Sequence, residues 1–152
     1  MRVLSVTAQK PCSTGSGVYL TEVVRSLAKM GVSQAVVAGV TREDRVDMPE
    51  GVTVYPVYFS SEKLPYPVVG MSDEMPYTST RYRDMTEEMA GQFKAAFLEV
   101  LDEAIEKENP DIILCHHLYY LTALIRAHYP AKKVYGSCHN TDLRQMESIL
   151  FE

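Results

Sequence analysis

No run of lysine and arginine occurs in this chain of 152 residues, whose net charge is -5. Affinity for a phosphate backbone needs a basic patch, so nucleic-acid binding is not expected. No apolar stretch approaches the roughly 20 residues of a membrane-spanning helix. Residues 1–8 read as a strand and lack the basic leader and cleavage site of a secretory signal. Cysteine is scarce: Cys12, Cys115 and Cys138 are an odd number in a mid-sized domain and read as the reduced thiols of a cytoplasmic protein. Internal repeats and low-complexity segments are also missing. What remains is an ordinary globular composition, long enough for one domain that buries roughly 70% of its unfolded surface.

Residues 3–27 organise the rest. They read as a buried strand (3–8), a loop (9–14), the glycine pair Gly15-Ser16-Gly17, and a helix from Val18 onward. Val18, Val23, Val24, Leu27 and Ala28 share one helical stripe, and Gly31 suits the stop. Two glycines ahead of a helix let backbone N–H groups approach a ligand, and the helix start adds unpaired donors and partial positive charge. Gly15, Ser16 and Gly17 are therefore expected to hold a phosphate; the alternative is a tight turn that needs glycine for its dihedrals. Two phosphate loops are excluded. Six residues separate the strand from the first glycine and Leu20 holds the third glycine position, unlike a dinucleotide fingerprint. There is no Gly-Lys-Ser/Thr either.

Further along, 34–40 and 52–59 read as strands, the second irregular or at an edge because of Pro56. Residues 60–83 show no pattern, with three prolines, Tyr66, Tyr77, Tyr82, Arg81 and Arg83. Such a loop is either functional, with aromatics and arginines facing a ligand or another domain, or disordered. Asp84 with Glu87 three residues on suggests a capping box for the longest helix. Met85, Met89, Phe93, Phe97, Val100, Leu101, Ala104 and Ile105 form its stripe, and Asn109-Pro110 ends it. Residues 111–115 and 133–137 read as strands around a helix over 118–128. A last pattern (Leu143, Met146, Ile149, Leu150) stops with no cap or breaker, which reads as one domain, 1–152, cut from a longer protein. Alternating strands and helices imply an α/β, doubly wound, mostly parallel sheet with helices on both faces.

Ligands of such sheets bind beyond the carboxyl ends of the strands. The pattern delivers the glycine pair, His116 and His117, and His139 and Asp142 to that one rim. Cys115, His116 or His117, Cys138 and His139 are zinc ligands by type. Adjacent residues on an extended chain point opposite ways, however, which favours a polar pocket for a hydroxylated, phosphorylated ligand. Asp142 reads as a first-turn residue of the last helix, whose alternative role is capping alone.

With these motifs in order, the chain resembles the amino-terminal domain of GT-B-fold retaining glycosyltransferases of the group 1, family-four type. The resemblance rests on Met1-Arg-Val-Leu, Gly15-Ser-Gly17, Asp111-Ile-Ile-Leu-Cys-His-His117 and Cys138-His-Asn-Thr-Asp142. The last is similar to the family's His-Gly-x-Asp segment, with Asn140 in place of glycine. The resemblance implies a Rossmann-like half of a two-domain enzyme that moves a sugar from a nucleotide-sugar to an acceptor. This half would be the acceptor side, and a carboxyl-terminal domain carrying a Glu-x7-Glu motif would hold most of the nucleotide. His139 and Asp142 would be catalytic, Gly15, Ser16 and Gly17 would meet the donor diphosphate, and His116, His117 and Arg81 would line the acceptor or sugar pocket. No Asp-x-Asp metal motif is present, so no metal or further cofactor is expected. A lipid acceptor would bring the protein to a membrane surface. A GT-B-fold sugar-nucleotide epimerase and a non-catalytic Rossmann-like binding module are the alternatives.

Overall fold

The computed structural model describes residues 1–146. In chain order its elements are β1 (Arg2–Thr7), α1 (Gly15–Lys29), β2 (Ser33–Val40), β3 (Thr53–Tyr58), β4 (Val69–Gly70), β5 (Thr80–Arg81), α2 (Glu87–Glu108), β6 (Ile112–His116), α3 (Tyr120–His128), β7 (Lys133–Ser137) and α4 (Asn140–Gln145). Five strands form one parallel sheet in the order β3-β2-β1-β6-β7; β4 and β5 form a separate parallel pair. The chain builds outward from β1 in one direction, then returns to its other side with β6. That reversal opens a crevice past the carboxyl ends of β1 and β6.

Strand side chains alternate between two faces, and each face has its own cover. Leu20 and Val24 of α1 pack on Val36, Ala38 and Val40. Phe93, Phe97, Leu101 and Ala104 of α2, with Leu121 and Ile125 of α3, pack on Leu4, Val6, Ala35, Val37, Tyr55 and Val57. Phe93 and Phe97 are fully buried, and each contributes about 2–3 kcal/mol of apolar transfer. The doubly wound α/β reading holds. β3 is an edge strand, which is where Pro56 is tolerated. Among the described residues no helix is long and apolar enough to cross a membrane.

Four local expectations are corrected. First, α1 starts at Gly15 rather than Val18, because Thr14 caps it by accepting the Gly17 N–H at 3.1 Å. The phase shift makes Gly17, Leu20, Thr21 and Val24 the buried stripe and leaves Val18 exposed. Gly31 does end α1, at φ +74, with its N–H on Ala28 and the Val32 N–H on Leu27. Second, Asp84 lies in a 3-10 turn, and the cap of α2 is Thr86, whose hydroxyl accepts the Met89 N–H. Third, 60–83 is packed rather than loose. Leu64, Tyr66, Val68, Val69, Met71 and Tyr82 are buried; the Tyr66 and Tyr77 hydroxyls donate to the carbonyls of Met89 and Val69. Its aromatics serve the core. Fourth, Leu143 and Met146 are exposed, and α4 instead buries Asp142 and Gln145; Ile149 and Leu150 lie outside the described residues.

Candidate functional site

A cavity of about 470 Å³ opens beyond the carboxyl ends of β1, β6 and β7. Gln9, Thr14, Gly15 and Ser16 form one wall, and Met71, Ser72, Glu74, Met75 and Pro76 form the second. His117, His139, Asn140 and Thr141 form the third. It sits where the strand order reverses, so the topology and the side chains select the same place.

His117 is the hub. It follows β6 directly and takes a left-handed backbone, φ +78, which is rare for a non-glycine residue. The turn directs its ring between α4 and α1. Nδ1 lies 2.6 Å from Oδ1 of Asp142, and Nε2 lies 2.9 Å from Oγ of Ser16 and 3.0 Å from Nε2 of Gln9. Oδ2 of Asp142 accepts two backbone N–H groups, from Leu118 at 3.0 Å and His139 at 2.7 Å. Burial alone would raise the Asp142 carboxyl; the bonds from His117, His139 and Leu118 together outweigh it and hold the pKa below its ordinary value. Asp142 thus stays ionised while almost wholly buried.

His139 reaches the cavity as the residue before α4. Its ring lies 4.7 Å from that of His117 and 5.5 Å from that of Tyr19, and its Nε2 has no hydrogen-bond partner among the described residues. Burial, then the neighbouring His117, lower its pKa against the pull of Asp142. His139 thus lines the cavity while its unpartnered Nε2 is itself buried.

Solved structures similar to this chain bear on its fold. One is a sucrose-phosphate synthase from Thermosynechococcus elongatus: TM-score 0.57, 8% identity, covering 91% of this chain and 33% of the other. Another is the UDP-GlcNAc 2-epimerase from Methanocaldococcus jannaschii: TM-score 0.54, 13% identity, covering 99% of this chain and 35% of the other. The fold is Rossmann-like, of the kind found in GT-B structures. At these identities the likeness shows the fold alone, and the chain spans about a third of the length of either structure. No protein-family model matches the chain, and no curated protein matches it.

In this Rossmann-like frame the expected site residues divide. Ser16, Gly15, His117 and His139 meet at the cavity, with Asp142 directly behind them. Gly17 does not line it: its N–H is spent on Thr14, and it faces the backbone of residues 10–12. Arg81 is not there either. It is exposed, and its Nε donates to Asp84 at 2.6 Å. Arg83, held by Asp73, and Arg144 line an adjoining cavity of about 340 Å³ that shares Met71, Ser72 and Thr141 with the first. Cys115 turns into the core under α2 and α3, where burial pushes its thiol up to about 11, while Cys138 is exposed. The candidate zinc ligands therefore diverge, and among the described residues no group of three His, Cys, Asp or Glu is placed to hold a metal ion. Sequence reasoning missed Gln9 and Tyr19. A polar residue just past a buried strand was the available signal for Gln9.

His116 points away from the main cavity. It is buried beside the ring of Tyr19, and neither ring nitrogen has a partner among the described residues. Burial, with His139 and His117 nearby, lowers its pKa to about 4. A histidine whose folded pKa lies below its unfolded value of about 6.5 stabilises the fold fully above that value and loses the contribution as pH falls toward 4. The loss should be about 3 kcal/mol. Urea unfolding of His116→Phe beside the native chain between pH 7 and 4 checks this: the variant should keep more of its stability in acid, and parallel curves would reject the assignment.

Proposed function

We propose that this chain forms the acceptor-side half of a glycosyltransferase that moves a sugar from a nucleotide-sugar donor to an acceptor with retention, completed by a second domain that holds most of the nucleotide. The observation that carries this reading is the convergence of His139, His117 and the first turn of α1 on one cavity at the point of strand-order reversal. His139, at the cavity wall, contacts the transferring sugar. The N–H groups of Gly15 and Ser16 stand where α1 offers donors and partial positive charge, so they stabilise charge gathering on a departing diphosphate. Asp142 acts as a positioning residue, holding the backbone of His139 and the ring of His117 at once. Gly17 has no part in ligand contact. The likeness to an epimerase over 99% of the chain supports a second reading, inversion of a donor sugar without transfer.

The test uses the complete protein with a panel of nucleotide-sugars and hydroxylated acceptors, followed by mass spectrometry of products. His139→Ala should cut transfer at least tenfold and move the melting temperature little, because the ring has no hydrogen bond to lose at Nε2. Unchanged turnover would reject the role of His139. A donor returned with one inverted carbon and no transfer product would establish the epimerase instead.

A further inference from the structure

Asp142, His117 and Ser16 stand in line, and the partners of each fix the hydrogens. The Asp142 carboxylate can only accept, so Nδ1 of His117, 2.6 Å away, carries the hydrogen and Nε2 keeps its lone pair. Oε1 of Gln9 accepts the Met71 N–H, so the amide nitrogen is the end 2.6 Å from Oγ of Ser16. That nitrogen can only donate. Ser16 therefore accepts there and directs its own hydrogen elsewhere. Thr14 Oγ1, 3.1 Å away, already accepts two hydrogens, from the Gly17 N–H and from the second N–H of Gln9 at 3.2 Å, whereas His117 Nε2 at 2.9 Å offers a lone pair. Ser16 thus donates to His117, and His117 donates to a buried carboxylate.

We propose that Ser16 is a nucleophile activated by His117 and Asp142, and that this cavity supports acyl transfer from small activated esters, a chemistry separate from the sugar transfer proposed above and not dependent on it. A hydroxyl, an imidazole and a carboxylate in this relation are recognised by geometry on unrelated folds. Ser16 and His117 both open on the cavity, and Met71, Met75 and Pro76 give it an apolar wall for a short acyl group. In the reaction, Oγ of Ser16 bonds to the ester carbonyl carbon as its proton passes to Nε2 of His117. The bond from that carbon to the alcohol oxygen then breaks, and the departing alcohol takes the proton from His117. Water, giving its proton to His117 in turn, attacks the acyl carbon and releases the carboxylic acid, and the proton returns to Ser16. Ser16 sits in the first turn of α1, whose partial positive charge favours the negative charge that develops beside Oγ.

The experiment treats the complete protein with a small alkyl fluorophosphonate, which transfers its phosphonyl group to an activated serine and releases fluoride, and maps the adduct by peptide mass spectrometry. Ser13 and Ser72 line the same cavity and serve as internal references. Ser16 should be labelled at least tenfold faster than either, and His117→Gln, with folding checked by circular dichroism, should slow it about 10²-fold. p-Nitrophenyl acetate should be hydrolysed by the native protein and not by Ser16→Ala. No adduct on Ser16, equal labelling of the three serines, or an unchanged rate in folded His117→Gln would each overturn the proposal. If His117→Gln does not fold, the preference among the three serines in the native protein decides alone. Labelling without sugar transfer would leave this proposal standing and sink the glycosyltransferase reading; the reverse result would do the opposite.

Discussion

Replacing Asp142 by Ala should lower the melting temperature by about 8–16 °C, equivalent to about 4 kcal/mol in a chain of this size. The carboxylate is 2% exposed and receives three hydrogen bonds from two separate segments: the ring of His117 and the N–H groups of Leu118 and His139. Truncation leaves those donors buried, and an unmet buried donor costs about 1–3 kcal/mol each. Asp142→Asn separates charge from shape. One amide oxygen still serves Leu118 and His139, while the amide nitrogen now faces Nδ1 and forces the other imidazole tautomer. The Asn variant should therefore melt within a few degrees of the native protein yet lose the donor path from Ser16 to His117. Differential scanning calorimetry of both variants is the measurement. An Ala variant that melts with the native protein would show that the carboxylate is not a hub of the fold.

Gly17→Val should unfold or severely loosen the domain, at about 3 kcal/mol or more, while Gly15→Ala should be nearly neutral. The sequence makes the two glycines look equivalent, and the structure separates them. A Cβ on Gly17 would stand 2.7 Å from the Cys12 nitrogen and 3.1 Å from the Lys10 oxygen, so backbone would have to move. A Cβ on Gly15 would meet nothing within 4 Å. Gly17 is thus the close-packing contact between the 9–14 loop and α1, and that loop carries Gln9 to Ser16. Gly31→Ala, at φ +74, is the reference, with an expected cost of about 1 kcal/mol. Chemical denaturation of the three variants ranks them. If Gly17→Val keeps native stability, the loop yields more readily than its contacts imply.

The strand–helix alternation was legible because two-sided burial leaves short apolar runs such as Ala35 to Val40, and these need no tertiary information to read. The rim position of His117, His139 and Asp142 followed from the same alternation. Their wiring did not. That His117 would turn left-handed and bond Asp142, 25 residues away, depends on where β6 and β7 end relative to each other. The 60–83 segment was illegible for a related reason. Its apolar residues follow no period, so their burial is decided by the surfaces of α2 and β1 rather than by local pattern. Arg81 shows the cost of reading that segment from composition: its charge is satisfied three residues away by Asp84, whereas Arg83 and Arg144 line the cavity that adjoins the candidate site.

The backbone of one residue in that segment ties distant parts together. The N–H of Met71 donates to Oε1 of Gln9, and its carbonyl accepts from Nε2 of Gln145 at 3.0 Å. Met71 is consequently a latch between the start of the chain and its last described helix. While the latch is shut, the Gln9 amide has one usable orientation, nitrogen toward Ser16. Without the Met71 N–H bond, Gln9 would be free to rotate and its oxygen would become available to Ser16 as another acceptor. The hydrogen-exchange rate of the Met71 amide is therefore a gauge of how well the cavity is wired, readable without any substrate in hand.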